Sequence, residues 1–171
     1  MDEESRKEPP PDREHRDTRS RPEEIMIVPM HAEHLDDLAD LESTAFSRPW
    51  SYDALAEELQ NPLAVFYVAE DVEAESAVGY LGMHHILDEC AITSLVVHPA
   101  YQRRGIATRL LREAVDYGEK HLVKRLMLEV RAGNRKAIAL YEKLGFKKDG
   151  LRSGFYSAPR EDALLYSLWL D

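Results

Sequence analysis

Apolar residues along this chain recur with two different periods, and polar turns separate the stretches that follow each. The run IMIVPM, from Ile25 to Met30, is short and β-rich. From Ala32 to Phe46 the residues Leu35, Leu38, Leu41 and Ala45 recur every three or four positions, which predicts a helix with one buried face. Tyr52 to Leu59 predicts a second, shorter helix, and FSRPW lies between the two. LAVFYVAED and AVGYLGMHHIL, joined by the polar DVEAES, predict an antiparallel hairpin. CAITSLVVHP is a further strand, closed by Pro99.

Helical spacing returns at Ala107, Leu110, Leu111, Ala114 and Val115, and Gly118 suits the end of that helix. In the strand KRLMLEV, Leu126, Leu128 and Val130 share one face, while Met127, Glu129 and Arg131 share the other. NRKAIALYEKLG predicts a helix with Asn134 as N-cap and Gly145 just past its end. FKKDGLRSGF and DALLYSLWL supply two last strands. The order is strand, two helices, three strands, helix, strand, helix, two strands. An α+β fold follows: about seven strands in a mostly antiparallel sheet, parallel in its strand–helix–strand middle, flanked by about four helices.

Composition narrows this further. A chain of 171 residues, 44% of them apolar, can bury one ordinary core. Residues 1–24 hold nine acidic and six basic residues and no apolar residue except Met1 and prolines, so a disordered tail is expected there, with the ordered domain at 25–171. A solvating extension is the simpler role for it; a regulatory tail is the alternative. The formal charge of −10 disfavours a nucleic-acid binder and suits a basic peptide or protein partner. Cys90 is the one cysteine, and no Cys/His framework or CxxC pair accompanies it, so neither a disulfide nor a metal site is expected. The chain has no apolar h-region in residues 1–24 and no apolar run of the about 18 residues a span requires, so a cytoplasmic protein without membrane anchor is expected.

One stretch carries chemistry. In TSLVVHPAYQRRGIATRLL an apolar strand hands over to a helix at Gln102, Arg103, Arg104 and Gly105. A helix N-terminus presents unpartnered N–H groups and partial positive charge, which together attract anions. Glycine removes the Cβ that would hold a ligand off the backbone, and Arg103, Arg104 and Thr108 can bind phosphate oxygens. The pattern suits a pyrophosphate, yet it is neither GxxxxGK nor GxGxxG. Taken alone, the stretch reads more readily as a solvated basic turn.

The segment QRRGIA, Gln102 to Ala107, resembles the pyrophosphate signature of the GNAT N-acetyltransferases. LVVHPAYQ before it and NRKAIALYEKLGF after it are similar to that family's cradle strand and last helix. The resemblance spans roughly residues 25–171, and DECAITSLVVHPAYQRRGIATRLL, LMLEVRAGNRKAIALYEKLGF and REDALLYSLWL bring it closest to the RimI-type ribosomal-protein-alanine N-acetyltransferases. It implies a GNAT-like acyl-CoA N-acyltransferase fold and acetyl-CoA as cosubstrate. Its phosphates would lie at Gln102, Arg103, Arg104, Gly105, Ile106, Ala107 and Thr108, and its pantetheine arm along Leu95, Val96 and Val97, with Asn134 as a further contact. Glu129 matches the family's proton acceptor and Tyr141 its proton donor. Phe46, Trp50 and Tyr156 resemble its substrate loops.

The acceptor so implied is a protein N-terminus, foremost the N-terminal alanine of protein eighteen of the small ribosomal subunit. Other N-termini, a lysine or a small amine, and a non-catalytic acyl-CoA-binding or partner-binding module are the rivals. Ordinary roles compete at each residue: Glu129 as an exposed carboxylate paired with Arg131, Tyr141 as a core aromatic, Trp50 as packing under a loop. Two departures from the family pattern bear on substrate choice: Ser94 where Asn is frequent, and FYSAPRED in place of a Tyr-Tyr-Pro loop. His84, His85 and His98 are expected to face loops or solvent, and Cys90 to be a small buried residue rather than a nucleophile.

Overall fold

The computed structural model describes residues 24–171, so the expected tail lies, but for Glu24, outside the described residues. Seven strands form one sheet: β1 (Ile25–Pro29), β2 (Ala64–Asp71), β3 (Ser76–Ile86), β4 (Glu89–Val97), β5 (Arg125–Arg131), β6 (Lys147–Ser157) and β7 (Arg160–Trp169). Its order is β1-β2-β3-β4-β5-β7-β6. Every neighbouring pair is antiparallel except β4 and β5, whose parallel pairing requires a crossover. Four helices complete the fold: α1 (Leu35–Ala45), α2 (Tyr52–Gln60), α3 (Ile106–Lys120) and α4 (Arg135–Lys143).

The two faces of the sheet bury separate cores. Leu35, Leu38 and Leu41 of α1 and Leu55 of α2 pack with Phe66, Val68, Tyr80 and Val96. Ile106, Leu110, Leu111 and Ala114 of α3 pack on the opposite face with Leu81, Met83, Leu126 and Leu128, joined by Tyr141 of α4 and by Phe146. Gly118, read from the sequence as a helix end, is instead a buried residue inside α3, which runs on to Lys120. A Cβ there would lie 2.6 Å from Leu170 Cδ1, so the Leu170 side chain packs against the bare backbone of this glycine, and the helix stops two residues later.

One irregularity positions everything functional. Ser94 pairs with Gly82 but Ile92 pairs with Met83, so Thr93 is an extra residue, a bulge in β4. The parallel pairing of β4 with β5 ends at the same place, at Ile92 opposite Leu128. Past it β4 stays with β3, while β5, from Glu129 to Arg131, stays with β7. The sheet therefore opens into a wedge.

Candidate active site

A cleft of about 610 Å³ opens at that wedge. Its walls bring together Leu95 of β4, Glu129 of β5, Asn134 and Tyr141 at α4, Phe46 and Trp50 between α1 and α2, and Tyr156 of β6. These seven sequence-predicted residues, distant along the chain, meet on one cavity. Val96, Val97 and Gln102 to Thr108 do not line it; they continue from β4 into α3 beyond the cleft.

Glu129 alternates outward from buried Leu128 and Val130, as the strand period requires. Its carboxylate pairs not with Arg131 but with Arg152 of β6, whose Nη1 lies 3.1 Å from Oε1. Arg131 is engaged elsewhere: Nη1 donates to Pro159 O at 2.9 Å and pairs with Glu161 at 3.3 Å, and the guanidinium sits 4.4 Å from the Tyr156 ring centre. Glu161 in turn accepts from Gly133 N–H at 2.6 Å. Arg131 thus fastens the β6–β7 loop to the end of β5, and the Ser47 hydroxyl joins that loop to the α1–α2 loop by donating to Ala158 O at 3.0 Å.

Tyr141 is both core aromatic and cleft residue, only 8% exposed and tilted against Phe146. Burial, then the proximity of Tyr156, pushes its phenol up to about 12, so it is a proton carrier at neutral pH. Asn134 caps α4, its Oδ1 accepting from Ala137 N–H at 3.2 Å, as its place before the helical run predicts. Trp50 packs edge-on against Phe66, centroids 6.4 Å apart, and so lies under the loop while still facing the cleft.

Glu42 went unrecognised in the sequence. It follows Leu38 by four residues and Leu35 by seven, on the buried face of α1, and a carboxylate at such a position is the signal that could have found it. It is 1% exposed, it borders the cleft, and it accepts from the Tyr80 hydroxyl and, at 3.2 Å, from Trp50 N–H. Burial and this bond to Glu42 push the Tyr80 phenol above its ordinary range, so it stays a donor. Ser94, nearly buried beside them, lines the same wall.

The turn before α3 has the shape of an anion cradle. Arg103 and Gly105 both have left-handed backbones, φ 63° and 76°, and Gly105 occupies the N-cap. The side chain of Ile106 is buried in the core, so only its backbone can serve a ligand. The Gln102 amide donates to Val97 O at 3.2 Å, and Arg104 donates to Ala100 O at 2.9 Å and lies over the Tyr101 ring.

The histidines are engaged away from the cleft. His84 meets Glu58 at 2.6 Å, His85 bridges the Tyr117 hydroxyl and Leu87 O, and His98 accepts from Ala100 N–H at 3.0 Å. Cys90 is fully buried, and burial pushes its thiol up to about 11, which leaves it inert as a nucleophile. Glu33, His34 and Glu70 lie together outside the cleft, but both ring nitrogens of His34 are already engaged, by His31 N–H and by Glu70.

The sequence and fold have counterparts among known proteins. Residues 35–146 match the Acetyltransferase (GNAT) family. The ribosomal protein bS18-alanine N-acetyltransferase of Escherichia coli (strain K12) is 36% identical over 131 residues, 75% of this chain and 86% of that one. The crystal structure of the Escherichia coli ribosomal-protein-S18-alanine N-acetyltransferase superposes with a TM-score of 0.78 at 32% identity, covering 86% of this chain and 94% of that one. Arabidopsis thaliana NAA60 in complex with acetyl-CoA shares the fold at a TM-score of 0.78 and 22% identity, over 85% of this chain and 98% of that one. With the family match covering more than half of its length, the chain belongs to the GNAT family and is an acetyltransferase.

Proposed function

We propose that this acetyltransferase modifies protein N-termini, its acceptor being the N-terminal alanine of ribosomal protein bS18. One observation carries the reading: Glu129, Tyr141 and the loops bearing Trp50 and Tyr156 surround a single cleft, in a chain 36% identical to the Escherichia coli enzyme. Residues 25–171 are the catalytic unit in this reading, and the preceding tail is a solvating extension. The enzyme would act in the cytoplasm on a protein, not on nucleic acid or at a membrane; among the described residues no helix is long and apolar enough to cross one.

The residues fit acetyl-CoA. On its β5 side the Thr93–Val97 stretch has no strand partner among the described residues; Val96, expected to serve the same arm, turns its backbone to Tyr80 of β3 instead, which leaves backbone groups at Leu95 and Val97 for an extended, amide-bearing arm. The left-handed turn at Arg103 and Gly105 presents the first amides of α3, with Arg103, Arg104 and Thr108 beside them to hold a pyrophosphate. Nothing lies within 4 Å of the space a Gly105 Cβ would occupy, so the backbone is open to approach. When bound, acetyl-CoA supplies a thioester carbonyl as electrophile and a thiolate as leaving group.

The protein side chains then move two protons. An α-amine has a pKa near 8, against about 10.4 for lysine, so a single carboxylate suffices to deprotonate it, and Glu129 takes that proton. Tyr141, kept protonated by burial, holds the proton the departing sulfur requires. The backbone N–H of Val97, on the open side of β4, is the candidate donor to the carbonyl oxygen; that of Val96 faces β3. Transfer is direct within a ternary complex, with no acetyl-enzyme and no metal. Phe46, Trp50 and Tyr156 leave an aromatic slot suited to a small first residue.

Mass spectrometry tests this: incubate the protein with acetyl-CoA and peptides beginning with Ala, Ser, Met or blocked Ala, each with one internal lysine. Acetylation of the free α-amine of the Ala peptide is expected. Acetyl on lysine, or none despite acetyl-CoA binding, would move the function to the amine or binding-module reading.

A further inference from the structure

Glu129 has one ion-pair partner among the described residues, and that partner crosses a strand to reach it. Arg152 belongs to β6, Glu129 to β5, and β7 lies between them. Ala163 of β7 stands opposite both Arg131 and Arg152, and its single methyl group leaves room for a long side chain to pass over. The β6 backbone is arranged around this residue. Between the pairs Arg152–Ala163 and Tyr156–Glu161, β6 advances four positions while β7 advances two, a bulge that Gly154 enters at φ 61° with its N–H on Asp162 Oδ1 at 2.8 Å. The bulge sets Phe155 beside the guanidinium, 5.6 Å from ring centre to Cζ, so Arg152 is held between an aromatic face and the carboxylate.

The two arginines on this side of the cleft thus divide the work. Arg131 builds the β6–β7 loop and is satisfied by Pro159, Glu161 and Tyr156. Arg152 alone orients Glu129. Only Oε1 of Glu129 is engaged, so the second oxygen is free for a proton. We propose that Arg152 is a positioning residue for acetyl transfer, fixing the Glu129 carboxylate at the mouth of the cleft with one oxygen turned to the acceptor amine. This rests on reading Glu129 as the base.

The pair is exposed, 57% at Arg152 and 34% at Glu129, and such pairs add little to folding stability. Loss of the guanidinium should therefore be felt in turnover and not in the fold. The other groups around Glu129 are Arg131, Glu161, Tyr156 and Tyr141, all retained in the variant.

The test compares wild type with Arg152→Ala, Arg152→Lys, Glu129→Gln and the Arg152→Ala/Glu129→Gln double variant, measuring kcat and KM for an Ala peptide, acetyl-CoA affinity by calorimetry, and Tm. Arg152→Ala is expected to lower kcat by about 10- to 100-fold, the cost of a misplaced catalytic group. KM, acetyl-CoA affinity and Tm should be unchanged. Arg152→Lys should restore most of the loss, and the double variant should be no slower than Glu129→Gln. An inactive Glu129→Gln beside an Arg152→Ala enzyme with wild-type kcat would overturn the role of Arg152 and leave the base standing. A fully active Glu129→Gln would overturn both. A fall in Tm and acetyl-CoA affinity together with kcat in Arg152→Ala would assign Arg152 to the fold and likewise overturn the inference.

Discussion

Tyr141 combines two roles that its sequence context offers as alternatives, a core aromatic and a proton donor, and its burial is what joins them. A phenol at the ordinary value of 10.0 would already stay protonated at pH 7; one pushed to about 12 stays so throughout the working range. Tyr141→Phe keeps the ring and its packing on Phe146 but removes the proton. It is expected to lower kcat by about 10²- to 10⁴-fold while acetyl-CoA binding, measured by calorimetry, persists. The wild-type rate should show no fall from this group as pH rises to 10. The sign for stability is the same. A folded value above the unfolded one favours folding fully below pH 10, and that contribution is lost as pH climbs through about 12. Denaturant titrations of wild type and Tyr141→Phe across pH 9 to 12 would read it, the wild type losing more.

At the scale of elements, the turn that starts α3 depends on one residue without a side chain. Gly105 sits at φ 76°, where a β-branched residue is strained even though no neighbour would touch its Cβ. Gly105→Val is expected to cost about 1–2 kcal/mol of stability in denaturant titration. Acetyl-CoA affinity should fall as well, because relief of the strain turns the first amides of α3 away from the cradle. Unchanged affinity would remove this turn from the cofactor site. The elements themselves were legible because periodicity is local: Leu126, Leu128 and Val130 against Glu129 define β5, and Leu110, Leu111 and Ala114 define α3. What was hidden depends on pairing across the sheet. Nothing in the run AITSLVV says that Thr93 is the extra residue or that β4 leaves β5 there. The Glu129–Arg152 pair spans a strand that no spacing rule reaches. Arg131, two residues away on the same face, was the natural partner by sequence and is instead drawn off by Glu161 and the β6–β7 loop. Gly118 lies inside the helix for a related reason, since a glycine on which Leu170 packs carries the same letter as one that ends a helix. Glu42 was legible in principle, as a charge on an apolar face.

For the whole molecule the dominant fact is its formal charge of −10. A field of that sign does not choose an N-terminal residue, which is the task of the slot around Trp50 and Tyr156. It governs how often a charged partner arrives in the first place. A basic ribosomal protein should be drawn to the enzyme at low salt, whereas a short Ala peptide of zero net charge should not. The attraction extends only about 10 Å at 0.1 M salt, so it should fade as ionic strength rises. The measurement is kcat/KM for both acceptors between about 50 and about 300 mM salt, a range over which the screening length shortens about 2.4-fold. The protein acceptor is expected to lose efficiency steeply and the peptide hardly at all, the loss residing in KM because chemistry at Glu129 and Tyr141 happens after docking. Equal salt dependence for both acceptors would mean that the local slot alone selects the partner, and that the acidity of this chain serves solubility.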